Sequence, residues 1–175
     1  MKNIYWLLLF LPGFCLSQAL SENEVRINIG KKEFIYSDIL KEDREIWIYT
    51  PSSFTKGTQN KYPVMYLLDG PAFFHSMTGM VQYLSSTGKM PEMIVVGIAN
   101  TNRVRDLTPT HSISWSDGEK DTATLGSSGG GEKFIAFIEH ELLPYMDSVY
   151  TTTPYRMLVG HSLGGLTVLH SLLNH

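Results

Sequence analysis

Two short stretches of this 175-residue chain set a serine midway between glycines. One is Gly126-Ser127-Ser128-Gly129-Gly130 and the other is Gly160-His161-Ser162-Leu163-Gly164. A serine hydroxyl attacks a carbonyl only when a base takes its proton and donors receive the charge that develops on the carbonyl oxygen. A tight turn from strand to helix answers the second need. Its strained backbone lifts the hydroxyl off the sheet edge, and the helix start offers free N–H groups with partial positive charge. Small residues two positions either side keep the neighbouring strand and helix clear, which is the expected role of Gly160 and Gly164. Gly165 is expected to let the helix pack close to the sheet. The pattern alone is a modest signal, so the flanking residues must choose between the two serines.

Ser128 follows the polar run SDGEKDTATL, which reads as a flexible turn leading into a helix near Glu132. Ser162 follows the apolar RMLV and precedes LGGLTVLHSLL, a strand and a helix in the required order. Ser162 is therefore the candidate nucleophile, and the Leu163 N–H is one expected oxyanion donor. The alternative is a glycine-rich turn with no chemistry. The second donor should come from the turn after an earlier strand, and LLDGPAFFHS supplies one. Pro71 has no N–H, so Ala72 is the expected donor and Phe73 the next. An ordinary turn residue is the other reading of this corner, Asp69 included.

The elements that must position these residues are legible as apolar runs. Val64–Leu68, Met93–Ile98 and Arg156–Gly160 are continuous enough for strands covered on both faces. Between them, Phe73, Phe74, Met77, Met80, Val81 and Leu84 mark one amphipathic helix. Phe134, Phe137, Ile138 and Leu142 mark another, expected to end at Pro144. Upstream, Val25, Ile27 and Ile29 alternate with polar residues, and Phe34–Ser37 and Glu45–Thr50 predict two further strands. Strands alternating with helices predict an α/β layered fold. The polar segment Asn100–Gly131 reads as a long loop, of the kind that is functional or disordered.

Hydrophobic residues make up 43% and charged residues 18%, an ordinary globular balance, and the net charge of −3 carries no basic tract for nucleic acid. Lys2, the apolar Ile4–Leu11 run, Pro12-Gly13 and small residues at Cys15 and Ser17 follow the order of a secretory signal peptide over residues 1–17. The run is too short for a membrane span, which needs about 18 apolar residues. The expectation is export to the periplasm or medium, with no membrane span after cleavage. The single cysteine, Cys15, falls in that leader, so neither disulfides nor thiolate–zinc sites hold residues 18–175 together.

The ordered set KYPVMYLLDGPAFFHS, MIVVGIANTNRVRDLTPT, GGGEKFIAFIEHELLPYM and YRMLVGHSLGGL resembles the putative-esterase family of α/β-hydrolases, which includes enterochelin (siderophore) esterases. The resemblance runs from about Asp38 to His175. It implies the N-terminal part of the α/β-hydrolase fold: a mostly parallel sheet with flanking helices and antiparallel N-terminal strands, the later strands missing. It implies a serine hydrolase of small-molecule carboxylic esters that requires neither metal nor organic cofactor. Ser162 is then the nucleophile, with Leu163 and the Asp69–Ala72 turn forming the oxyanion site. The family's acid and histidine follow the serine in chain order. His170 and His175 lie along a helix leading away from Ser162, so the partners are expected beyond residue 175 and these residues alone are expected to be inactive.

Four further residues are candidates for a substrate pocket. Asp69 stands beside the expected oxyanion turn, and His75 lies in the first turns of the helix after it. Arg103 and Arg105 follow a strand end, where α/β sheets bind ligands. They read equally as a clamp for an anionic group and as an internal brace to Asp106. His161 reads as structural, and His111 and His140 as solvated. A non-catalytic binding module on the same fold is the competing functional reading.

Overall fold

The computed structural model describes residues 27–175. The expected leader, residues 1–17, lies outside the described residues. Among the described residues five strands are formed: β1 (Lys31–Ser37), β2 (Glu42–Tyr49), β3 (Tyr62–Leu67), β4 (Ile94–Ile98) and β5 (Thr152–Val159). They make one sheet in the order β1-β2-β4-β3-β5. β1 and β2 form an antiparallel hairpin, and β2 runs antiparallel to β4. β3 lies parallel to both β4 and β5. This is the expected α/β arrangement of antiparallel strands leading into a parallel core.

Side-chain alternation along the central strands feeds two layers. Val64, Tyr66, Val96 and Ile98 pack with Phe134, Phe137, Leu142 and Met146 on one face. Met65, Leu67 and Val95 pack with Phe74 and Val81 on the other. The first layer belongs to α4 (Gly131–Phe137) and α5 (Leu143–Val149), and the second to α1 (Gly70–Ser86). Helix α1 sits unusually close to β4. A Cβ on Gly70 would lie 2.5 Å from the Gly97 carbonyl carbon, so both positions need glycine for the helix head to reach the sheet.

Several sequence expectations change. Of the strand expected through Val25, Ile27 and Ile29, Val25 lies outside the described residues, while residues 27–29 pair with no strand and Ile27 is exposed. The helix expected to stop at Pro144 continues through a π-helical turn, Ile138–Leu142, into α5. Pro144 falls just after that turn, and a local π-helical widening is a known way for a helix to run past a proline that breaks its hydrogen-bond ladder. The polar segment 100–131 carries two short helices, α2 (Arg103–Asp106) and α3 (Thr122–Leu125), and a Ser114–Lys120 bridge. β5 was expected to be covered on both faces. It has a single strand neighbour among the described residues and is half-buried to exposed along its length.

Candidate active site

The last parallel strand turns into α6 (Leu163–Asn174) through Gly160, His161 and Ser162. Ser162 holds φ 57°, ψ −118°, a conformation that L-residues rarely adopt and that costs about 1–3 kcal/mol. It stands where a helix-capping residue would, yet its side chain makes no cap bond. Among the described residues no hydrogen bond engages its hydroxyl, and Ser162 is exposed. The turn is closed so tightly that a Cβ on Gly160 would lie 2.4 Å from the Gly164 backbone. Gly164 is different: a Cβ there would make only ordinary contact, 3.5 Å from Leu68 and Asp69. A Cβ on Gly165 would meet only Gly160 O, at 3.6 Å. Of the three glycines, space demands only Gly160.

At the head of α6, the Gly164 N–H donates to His161 O at 2.9 Å and the Leu166 N–H to Ser162 O at 3.0 Å. Among the described residues the Leu163 N–H has no acceptor. The β3 corner lies alongside, since the Leu68 N–H donates to Val159 O at 2.8 Å and the Phe73 and His161 rings meet edge-on at 5.6 Å. Ala72, the expected second donor, is already spent: its N–H donates to Asp69 O at 2.9 Å. The left-handed backbone of Asp69 (φ 54°, ψ 39°) turns its carbonyl onto that N–H. The Gly70 N–H is left without an acceptor among the described residues.

The pocket candidates separate. Asp69 is buried, and its carboxylate accepts from Asn100 Nδ2 at 2.5 Å and from Arg103 Nε at 2.7 Å and Nη2 at 2.9 Å. The paired carboxylate holds the Arg103 guanidinium above its usual pKa range. Arg105 does not join the site. It bonds Glu42 at 2.6 and 3.1 Å and Asp106 at 2.8 Å, because residues two apart on a helix diverge by about 200°. Arg105 thus forms a brace to Asp106. The same geometry moves His75: Phe73 faces the elbow, and His75 lines a groove of about 350 Å³ with Ile29, Trp47 and Phe74.

Arg44 went unnoticed in the sequence although it is fully buried. It bonds Asp106 and Glu42, each at 2.8 Å, and lies over the Phe134 ring at 5.1 Å. Its signal was present, since period-two alternation puts Arg44 in phase with Ile46 and Ile48. Hydrogen bonding to Arg105 and Arg44 pulls the Glu42 carboxyl down to about 2. This ion network anchors α2 to the sheet and so sets where Arg103 begins. Asn100, also missed, sits at the end of β4 with its Oδ1 buried and unpartnered.

Two other features lie away from Ser162. A groove of about 610 Å³ is lined by Lys61, Asp147, Tyr150, Thr153 and Arg156 at the N-terminal end of the parallel strands. Ligands of α/β sheets bind at the opposite, carboxyl end, where Ser162 stands. Glu132, His170 and His175 bring three metal-ligand atoms within 4.8 Å of one another. His170 Nε2 already bonds the Glu132 carboxylate at 2.5 Å, and neither histidine hydrogen-bonds the serine hydroxyl. No helix among the described residues is long and apolar enough to cross a membrane.

Comparison with known proteins identifies the family. The family model described as "Putative esterase" matches residues 37–175. Ferri-bacillibactin esterase BesA of Bacillus subtilis is 34% identical over 75% of this chain and 50% of its own length. Apo-salmochelin esterase of Escherichia coli O6:H1 is 25% identical over 99% of this chain and 59% of its own. The chain thus spans about half the length of the curated relatives it matches. An IroE-like serine hydrolase from Shewanella oneidensis superposes with a TM-score of 0.78 at 40% identity, over 82% of this chain and 46% of that one. The sheet, its flanking helices and the matched residues together make the chain a member of the putative-esterase family of α/β-hydrolases.

Proposed function

We propose that the protein is an exported serine esterase that cleaves carboxylic ester bonds of small molecules through an acyl-enzyme on Ser162. The observation that carries this is the strained, exposed and unbonded serine at the head of α6. In the reaction the Ser162 Oγ adds to the ester carbonyl while a general base takes its proton. The C–O bond to the alcohol then breaks, that proton passes to the departing oxygen, and water releases the acid from the serine. The free N–H groups of Leu163 and Gly70 receive the oxyanion between them. The base and its orienting acid come from sequence after residue 175, because no histidine of residues 27–175 engages the serine. The relatives named as esterases of ferri-bacillibactin and apo-salmochelin support siderophore-type esters as the substrate class.

The test uses the protein expressed from the complete open reading frame that encodes these residues. A fluorophosphonate probe should label it, and Ser162→Ala should abolish labelling; label that survives the substitution refutes the assignment. Residues 18–175 alone should not hydrolyse p-nitrophenyl acetate above background. The free Ser162 hydroxyl also fits a binding module on the same fold. A reading frame that supplies no histidine beyond residue 175, with no labelling, would favour that module.

A further inference from the structure

Asp69 opens α1 from a left-handed backbone, yet its carboxylate bonds nothing in that helix. An aspartate in this place ordinarily accepts from an N–H two or three residues on. Here three donors from the segment after β4 converge on it instead, and the carboxylate is only 7% exposed. Asn100 turns its amide nitrogen to the same carboxylate at the cost of burying an unpartnered Oδ1. Arg103 then reaches further. Its Nη2, while held by Asp69, lies 3.4 Å from His161 O, the carbonyl of the peptide leading into Ser162. That same carbonyl accepts the Gly164 N–H. One guanidinium therefore spans from the corner that carries Gly70 to the elbow that carries Leu163.

We propose that Asp69 is a positioning residue which, through Arg103, fixes the separation of the two oxyanion donors. This rests on the esterase reading of Ser162. Asp69 touches neither the serine nor the reacting atoms. The donors belong to different helices, and an oxyanion site works only when both lie within hydrogen-bond range of one oxygen. A buried carboxylate with fixed acceptor directions holds a planar guanidinium in one orientation, which a neutral amide cannot do. The left-handed backbone brings that carboxylate beside α6, 3.5 Å from where a Cβ on Gly164 would stand.

In the protein from the complete reading frame, Asp69→Asn should lower kcat for a p-nitrophenyl ester about 10- to 100-fold while KM changes less than about threefold. Arg103→Met should lose a similar factor, and the double variant should be no worse than the poorer single one. Amide hydrogen exchange at Gly164 should quicken about tenfold in Asp69→Asn, since its acceptor loses its anchor. Exchange needs no catalysis, so it tests the bridge even if Ser162 proves inert, whereas probe labelling tests the serine. Unchanged exchange at Gly164, wild-type kcat in Asp69→Asn, or losses that multiply in the double variant would each overturn the proposal. Should Asp69→Asn fail to fold, Arg103→Lys, which keeps the charge but cannot span both acceptors, takes its place with the same readouts.

Discussion

Ser162 and Ser128 share the pattern of a serine between glycines, and the fold treats them in opposite ways. Ser162 is exposed, strained and free of hydrogen bonds among the described residues. Ser128 is buried, with its Oγ 2.6 Å from Leu125 O and 2.9 Å from Ser112 O, and it accepts the Ser112 N–H at 2.9 Å. His111 Nδ1 lies 3.2 Å away, so even a serine–histidine contact exists in the structural copy. A hydroxyl saturated by carbonyls cannot attack a substrate; it ties a loop. The difference teaches that the same pattern frees a hydroxyl only when a strand end and a helix start force it into the open.

The largest expected effect tests that contrast directly. Ser162→Ala should lower ester turnover about a thousandfold or more, as loss of a nucleophile does, whereas Ser128→Ala should leave the rate near wild type. Steady-state kinetics on the two variants would expose an inverted assignment at once. Next in size is the turn itself. Gly160→Ala drives a Cβ to 2.4 Å from the Gly164 backbone and should cost several kcal/mol, about 3 or more, while Gly164→Ala should be close to neutral. Chemical denaturation of the pair measures it, and equal losses would contradict the turn geometry.

Smaller again is the structural serine. Ser128→Ala removes a buried hydroxyl that accepts the Ser112 N–H and should cost about 0.5–1.5 kcal/mol of stability, read from the urea midpoint. The smallest effect concerns acid. Glu42 is held down to about 2 by Arg105 and Arg44, below its ordinary 4.5. A carboxylate depressed in the folded state contributes stability that is complete above the unfolded value and is lost as pH falls through the folded one. Stability should therefore decline between about pH 4.5 and 2, and Glu42→Gln should flatten that part of the curve. Because this network anchors α2 in the segment that holds Ser128, the acid effect should reach Ser128 before the elbow, which hydrogen exchange near pH 3 would resolve.

The parallel strands, their two helical layers and the elbow serine were readable because each depends on local periodicity or on glycines at fixed offsets. The buried Arg44 was equally readable in principle, since strand alternation carried it inward with Ile46 and Ile48. His75 and Arg105 face away from the elbow because a rotation of about 100° per residue separates neighbours that the sequence writes side by side, whereas the Ala72 N–H is engaged because the left-handed Asp69 backbone turns its carbonyl onto it. The covering of β5 was misjudged because an apolar run reports what a strand can bury, not how many strands lie beside it.

By itself the order of residues determined the strand–turn–helix that raises Ser162, for glycine spacing and apolar runs act within a dozen positions. Only the tertiary structure decided which neighbours complete the turn. Asp69, Asn100, Arg103 and His161 are separated by up to 92 positions along the chain, and they meet because β3, β4 and β5 lie side by side and end on one edge. Charge-assisted bonds of that kind depend on ångström-scale placement of separate elements, which no local pattern encodes.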